Sequence, residues 1–577
     1  MKSIKYITMS LAVSLFMTSC TDSFLDKIPD ERTDVTTVNQ VVMLLNSSYP
    51  NANYQWIAEL SSDNLIDNST PHMPSSPGAK QILSHYNYSS YNKSDDELFK
   101  FEPASTATFN DYDSPGQLWG QYYASIASVN YALEALDRIK ALSGGEETEK
   151  MKAARGEALL LRAYCHFLLV NLFAPAYMDD ASNEKNIGVP YVTEIEDVVQ
   201  KDYPRGTVGG VYKKIQQDME EGLANISNVN YEKPKWHFNT QAAHAFAARF
   251  YLYTRQWSKV VEQANEVLGT DSTSTAQMMM DYSTFEGCAS VSDYGTAWQH
   301  PSLNNNLMLI KTGSLFYRRI FGYRYSLAGP PAREVLMFHT HSGLWSGYYV
   351  TPIAIVSGMV FSSSSSDYGF FSCKMAEEFE YSDKIAGIGY PHMILRAFTG
   401  NNLLLERAEA YIMLGRYEEA ARDLKYYWNN SINTFSPADR DAYARYINYL
   451  TDEHILSYYA NGSHENCFDD WSFTQNISSD YVIPAAATPY MNCLNDFRRF
   501  ENGFEGLRFF DLKRWGIPYE HIVGPTSVVY RLEAKDIRRA IEVPWETLSA
   551  GLEPTRPADN SISNSLEMNV SSFIVNE

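Results

Sequence analysis

The sequence predicts a mainly α fold in which antiparallel helix pairs form a scaffold carrying a large, irregular, loop-rich insertion with a few short strands. Three observations predict it. Through Leu403–Trp428 the residues Ala408, Tyr411, Leu414, Tyr417, Ala420 and Leu424 recur three, six and seven apart, which places them on one helical face. Gly415-Arg416 interrupts that run where a helix C-terminus belongs, so the stretch reads as two helices joined by a tight turn. Ala248, Tyr251 and Trp257 then repeat the spacing of Ala408, Tyr411 and Tyr417. One such pair cannot bury its apolar face alone, and a repeat supplies neighbours to stack on.

Taken in order, the first helix is predicted at Asp34–Tyr49. From Leu60 to about Asp113 the chain turns irregular and rich in Ser, Asn, Pro and Tyr. Loops of that length in a globular chain are commonly functional. Gln117–Ile139 follows as a helix, with Trp119, Tyr122, Tyr123, Ile126, Val129, Leu133 and Leu136 in its apolar stripe. Further helices are predicted at Glu149–Phe173 and Gly209–Ile226, and a helix pair at Thr240–Leu268. The stretch 270–390 differs in composition, with a serine run at Ser362–Ser366, Met278-Met279-Met280, many Gly, and β-prone pieces at Leu307–Ile310 and Tyr348–Ile355. Helices are expected to resume at about Pro391 and run through Leu424, with shorter ones at Ala438–Leu450, Glu453–Tyr459 and Glu505–Trp515. The small, aromatic, Gly, aromatic, Ala order of the 403–428 pair resembles a tetratricopeptide helix pair. Arg407 stands where such repeats place an apolar residue.

The composition narrows the function. At 577 residues the chain can bury a large core. A formal charge of −22 opposes binding to nucleic acid or anionic lipid. Aromatics reach 14 %, with 41 Tyr and 10 Trp, heavy for a helical protein and suited to binding flat ligands. No GxSxG elbow or phosphate-binding glycine loop occurs, and His464-Glu465 lacks the second His of the zinc-protease pattern. His339-Thr340-His341 has no third ligand at a recognisable spacing, so neither metal nor cofactor is predicted.

The first residues read as a targeting segment. Lys2 and Lys5 precede an apolar run at Ile7–Met17, and Met17-Thr18-Ser19-Cys20 resembles a bacterial lipobox, in which the Cys is lipidated and becomes the first residue. Residues 1–19 are then a signal peptide and 20–577 a single domain, with helical scaffold at about 34–268 and 391–550. Cleavage lowers the basic count from 47 to 45 against 69 acidic residues, leaving −24. Multiple acyl chains on Cys20 would anchor the protein stably. Five other cysteines remain, none in metal spacing. Cys165, inside an apolar helical run, reads as a buried thiol, and spacing leaves a Cys467–Cys493 disulfide open.

Several of these stretches together resemble the SusD-like (RagB/SusD) family of Bacteroidetes outer-membrane lipoproteins. They are Cys20 with Ser23-Phe24-Leu25-Asp26; Tyr122, Ile126 and Asn130; Gly156-Glu157-Ala158 through Arg162-Ala163 to Leu172-Phe173; Arg407-Ala408-Glu409-Ala410-Tyr411 with Glu419-Ala420; Glu505-Gly506, Phe510-Asp511-Leu512 and Arg514-Trp515-Gly516; and Val543-Pro544 with Glu546. The C-terminus lacks the ending common in the family, and the 270–390 insertion has little counterpart. The resemblance implies a tetratricopeptide-like α fold and a lipid-anchored position on the outer membrane, facing the exterior beside a SusC-like TonB-dependent transporter. It further implies capture of an oligosaccharide or polysaccharide, without catalysis. A peptide or glycoprotein-glycan cargo, a lipid-anchored hydrolase and a protein-binding scaffold are the alternatives.

Sugar binding needs flat apolar faces for C–H groups, with amides, carboxylates or guanidinia for hydroxyls. In the first loop the candidates are Tyr86, Tyr88, Tyr91 and Asn92, with Asp63 and Asn64 nearby; in the insertion they are Tyr294, Trp298, Trp345, Tyr348 and Tyr349. Trp298 leads, because Asp293–Gln299 sets small residues around polar and aromatic ones. Trp119, Trp257 and Trp515 lie on amphipathic helices and read as core. Asp511 and Arg514, three apart, read as a structural pair.

Overall fold

Helix starts in this chain are written in capping residues. The computed structural model describes residues 35–71, 88–105, 107–195, 203–320, 324–332, 360–362, 369–431, 447–460 and 479–556. Helix α1 (Val38–Asn46) opens with a capping box: Thr37 Oγ1 accepts from Gln40 N–H and Gln40 Oε1 accepts from Thr37 N–H. A short helix α2 (Gln55–Leu60) follows, and a two-residue strand β1 (Ile66–Asp67) and helix α3 (Lys93–Phe99) give partial order to the stretch from Leu60 expected to be irregular. Helix α4 (Pro115–Leu142) starts at a Ser114 cap with Pro at its first position, and α5 (Glu149–Phe173) at a Thr148 cap. Helix α5 is long and apolar enough to cross a bilayer, but its apolar window is wholly buried inside the protein; it is the central core helix. Cys165 lies buried within it as a free thiol.

Helix α6 (Val208–Asn225) packs along α5 at glycine distance: a Cβ on Gly222 would come within 2.8 Å of Leu160 Cγ, and one on Gly156 within 2.7 Å of Ile226 N. Arg162 of α5 then locks three helices, reaching Asp218 of α6 at 2.6 and 2.7 Å and Asn130 of α4 at 3.0 Å. Helices α7 (Thr240–Tyr253) and α8 (Trp257–Leu268) form the first repeated pair and turn at Arg255, whose φ of +59° closes the loop.

After α8 the chain leaves the scaffold. Helix α9 (Val291–Trp298), strand β2 (Asn306–Gly313), helix α10 (Phe316–Ile320), and strands β3 (Tyr325–Ser326), β4 (Val360–Ser362), β5 (Phe370–Ser372), β6 (Glu378–Asp383) and β7 (Ile388–Thr399) build the insertion. Its main sheet is antiparallel in the order β2-β7-β6, with Leu309 opposite Arg396 and Glu380 opposite Tyr390. Strand β3 pairs with β1 of the first loop, Ile66 opposite Ser326, so the two irregular regions are joined.

The expectation that helix resumes at Pro391 is corrected here, since residues 388–399 are strand. Residues 391–399 are buried without alternation, and a short apolar run of that kind has no diagnostic period. Pairing with β2 decides it. Thr399 ends β7 and caps α11 (Gly400–Met413), its side chain accepting from Asn402 N–H. Helix α11 pairs with α12 (Tyr417–Ser431) and packs against α8 of the first pair, so the scaffold closes across the insertion. Of the residues read on the shared face, Ala248, Tyr251, Val260, Ala264, Ala408, Tyr411, Ala420 and Leu424 are buried, Trp257 and Tyr417 are half-buried, and Leu414, beside the turn, is 37 % exposed.

Helix α13 (Asp452–Tyr458) matches the predicted Glu453–Tyr459, while most of the predicted Ala438–Leu450 helix lies outside the described residues. Helix α14 (Thr488–Glu501) and the hairpin β8 (Tyr519–Val523)–β9 (Val528–Leu532) were not legible as elements; α15 (Leu507–Trp515) was. The family-like motif residues of this region are buried partners. Glu409 accepts from Arg514 Nη2 at 2.6 Å, Trp515 Nε1 at 3.1 Å and Tyr481 Oη at 2.6 Å. Asp511 accepts from Arg498 and from Arg514, the latter at 2.9 Å, the structural pairing expected. Gly506 adopts φ +72° and fits under α2, where a Cβ would stand 2.9 Å from Gln55 Cα.

Candidate functional site

Of the residues singled out in the first loop, Tyr91 and Asn92 lie at α3 and α10. Asn92 is the cap of α3: its Oδ1 accepts from Asp95 N–H at 3.0 Å and from Ser94 Oγ at 2.6 Å. Tyr88 is half-buried, and its N–H donates to Ser69 Oγ at 3.1 Å. Tyr91 is 41 % exposed, with the Arg319 guanidinium 4.9 Å from its ring centroid. Arg319 is itself buried and is held by Asp95 at 2.7 Å. Beside it, burial raises the Asp113 carboxyl to about 6 against the pull of that guanidinium. Arg324 forks onto Asp67 at 3.0 and 2.8 Å and reaches Asp96 at 3.2 Å. Asp63 and Asn64 lie deeper. Burial alone would raise Asp63, but Arg499 and Arg508 hold its carboxyl well below the usual range, and Arg508 grips it at 2.7 and 2.8 Å.

In the insertion the Asp293–Gln299 segment forms most of α9 and splits by chemistry. Its aromatics point inward: Tyr294 and Trp298 are buried in a small core with Met280, Tyr282, Phe285, Leu303 and Cys373. Trp298 is 1 % exposed, and the Arg396 guanidinium lies 3.9 Å from its ring centroid, with Lys374 Nζ at 5.2 Å. The leading candidate is therefore placed inside the protein, sandwiched against cations. The outer side of α9 carries Asp293, Thr296 and Ala297, which with Thr284, His300 and Ser302 line an open bowl of about 460 Å3. Tyr86, Trp345, Tyr348, Tyr349 and Cys20 lie outside the described residues.

The structure adds rings that the sequence reading passed over. The β6–β7 hairpin projects from the sheet with Tyr381 51 % and Tyr390 61 % exposed. Phe379 packs edge-on to Tyr381 at 4.9 Å, and Arg318 of α10 lies 5.7 Å from the Phe379 centroid while forking onto Glu377 at 2.7 and 2.5 Å. On the other face of the hairpin Tyr390 stands opposite Glu380, which pairs with Lys311, and near His392, whose Nε2 is 3.2 Å from Glu378. Helix α10 thus sits between the two aromatic groups, its Arg319 at Tyr91 and its Arg318 at Phe379. This region carries exposed rings (Tyr381 on one face of the hairpin and Tyr390 on the other), the Arg318 guanidinium and carboxylates, groups of the kind that sugar hydroxyls and C–H faces require. The signal was the Phe379-Glu380-Tyr381 alternation followed by Gly387 and Gly389, a hairpin pattern. Among the described residues no group of three or more His, Cys, Asp or Glu is arranged to hold a metal ion.

Comparison with known proteins bears on this geometry. Residues 23–252 match a SusD-like family model described as starch-binding and associating with the outer membrane. No curated protein sequence matches the chain. Among solved structures, a Bacteroides vulgatus protein named for sugar binding superposes with TM-score 0.56 at 16 % identity, covering 90 % of this chain and 98 % of its own. A second B. vulgatus protein, of the SusD superfamily, gives TM-score 0.53 at 17 % identity, covering 91 % and 99 %. A SusD superfamily protein of Bacteroides fragilis gives 0.53 at 17 %, covering 90 % and 98 %. At such identities these structures establish the fold, and the family model reads the N-terminal scaffold directly. Residues 23–252 are therefore similar to the SusD-like family, and the chain as a whole shares the fold of SusD superfamily structures.

Proposed function

We propose that the protein is a lipid-anchored, surface-facing lipoprotein of the outer membrane that binds a nutrient glycan and delivers it to a SusC-like TonB-dependent transporter. The observation that carries this is the match of residues 23–252 to a family described as starch-binding and outer-membrane-associated. The sugar-binding name of a fold relative supports the cargo class. So does the chemistry around α10 and the β6–β7 hairpin: exposed Tyr91, Tyr381 and Tyr390, with Arg318 beside Phe379 and paired to Glu377, and Glu380 opposite Tyr390. The lipobox-like Met17–Cys20 supplies the anchor. In this reading the protein binds and hands over its ligand and performs no chemistry on it.

The test uses the soluble protein from Thr21 in affinity gels against starch and a broad panel of plant, microbial and host polysaccharides. Retardation by at least one neutral polysaccharide is expected. Absence of retardation across the panel, with peptides co-purifying with the native complex, would replace the glycan with a peptide cargo. Full-length protein should co-purify with a large outer-membrane barrel, and Cys20→Ala should release it from the membrane fraction.

A further inference from the structure

A crevice lined by none of the rings around α10 holds a surplus of positive charge. It opens where α5 and α15 both end, beneath the segment 534–539, and its lining includes Lys513, Arg514, Lys535, Arg539, Asp480 and Asp536. At about 70 Å3 it has room for about five waters or one small polyatomic ion, far less than a sugar chain.

The charges can be paired off one by one. Arg514 is taken by Glu409 and Asp511. Asp480 is held by Arg255 at 2.9 Å, with Lys535 at 3.5 Å, and Asp536 by Arg538 at 2.6 Å. Glu533 faces outward onto Arg531 at 2.8 Å. Lys513 and Arg539 are buried, yet their hydrogen bonds all go to main-chain carbonyls. Lys513 donates to Asn171 and Ala174 at the end of α5, both at 2.6 Å. Arg539 donates to Leu512 at 2.9 Å and Ile517 at 2.5 Å at the end of α15, and to Glu533 O at 2.7 Å.

Each helix end offers roughly half a negative charge. Asp179 also interacts with Lys535, so five cations (Arg255, Lys513, Lys535, Arg538 and Arg539) stand against three carboxylates and about one charge of helix dipole, and roughly one positive charge remains. Burying uncompensated charge is costly, and it is conspicuous in a chain of net charge −22. Burial, with Arg539 and Arg556 nearby, accordingly pushes the Lys513 ammonium well below its ordinary value.

We propose that this crevice binds a small oxyanion, seated between Lys513, Lys535 and Arg539. The ion would be a phosphate or sulfate, or the carboxylate of an acidic sugar whose ring stays at the mouth. The site is independent of the glycan reading above, because none of these residues belongs to the aromatic surface around α10.

The test is thermal unfolding of the soluble protein with phosphate, sulfate, glucuronate or chloride at matched ionic strength. A saturable rise in Tm with an oxyanion and none with chloride is expected. Phosphate or sulfate acting alone indicates a free inorganic ligand, and glucuronate acting alone an acidic-sugar terminus. Lys535 is 47 % exposed, so Lys535→Glu should fold, and it should weaken the effect about tenfold or more, as loss of a charge-assisted contact does. Lys425→Glu, on the distant α12, should leave the effect intact. If no oxyanion raises Tm above chloride, or if Lys535→Glu responds like the parent, the proposal is overturned and the helix ends alone neutralise the crevice.

Discussion

Arg407 of α11 grips Asp423 of α12 through two guanidinium nitrogens, at 2.7 and 3.0 Å, with both side chains out of solvent. The same guanidinium donates to Gly269 O at 2.7 Å and Asn265 Oδ1 at 2.9 Å. One cation thus ties the second helix pair together and fastens it to the end of the first, where a plain repeat would pack an apolar side chain. Removing one partner of such a pair leaves a buried charge, at about 3–5 kcal/mol. Asp423→Ala should lower stability by that amount in urea unfolding. Arg407→Leu with Asp423→Leu should cost less than either single change, since two apolar groups then face each other.

His166 of α5 is neutral and locked. Its Nε2 accepts from Val192 N–H at 3.1 Å, so Nδ1 carries the proton and donates to Arg162 O at 2.9 Å. Burial lowers its pKa from 6.5 to about 3. The group favours the folded state fully above 6.5, and that contribution is lost as pH falls toward 3, up to about 5 kcal/mol. His166→Gln, which keeps an acceptor for Val192, should show a shallower fall of Tm between pH 6.5 and 4 than the parent; parallel curves would refute this.

Tyr381 and Tyr390 are exposed and can be cut away without opening the core. Tyr381→Ala and Tyr390→Ala should each leave Tm within about 1 °C and weaken glycan affinity by roughly twofold to tenfold, the span of an aromatic contact. Calorimetry on the retained polysaccharide checks it, with Leu142→Ala as an exposed control remote from α10.

Trp298 should behave differently. Its ring is buried against Arg396 and Lys374, so Trp298→Ala should cost about 3–5 kcal/mol. Any loss of glycan binding should follow loss of fold, and Trp298→Phe should recover most of both. Full stability with lost binding would show that the ring reaches ligand.

The scaffold was legible from the sequence because its helices obey local rules. Thr37, Ser114, Thr148 and Thr399 cap helices where the sequence offers an oxygen, and the 3.6-residue period marks each buried face. The insertion was not. Residues 391–399 read as helix, and only β2 lying beside them makes them strand, while Phe379-Glu380-Tyr381 fell in a stretch read as mostly loop until β7 paired with it. Among the candidate residues, Tyr91 lies at the surface while Trp298 and Tyr294 face inward. Residue type alone cannot tell these apart, because an aromatic ring gains from burial in a core and from stacking on a ligand by the same desolvation.

By itself the sequence determined the class of fold, the repeated helix pair, the targeting-like first residues and the family it resembles, since periodicity, caps and motif order are properties of neighbours along the chain. Tertiary structure alone decided which rings are exposed, that Arg407 serves as a clasp, and that Lys513 and Arg539 share one crevice. Those facts depend on residues tens to hundreds apart meeting in space, and burial, charge balance and strand pairing are set only by that meeting.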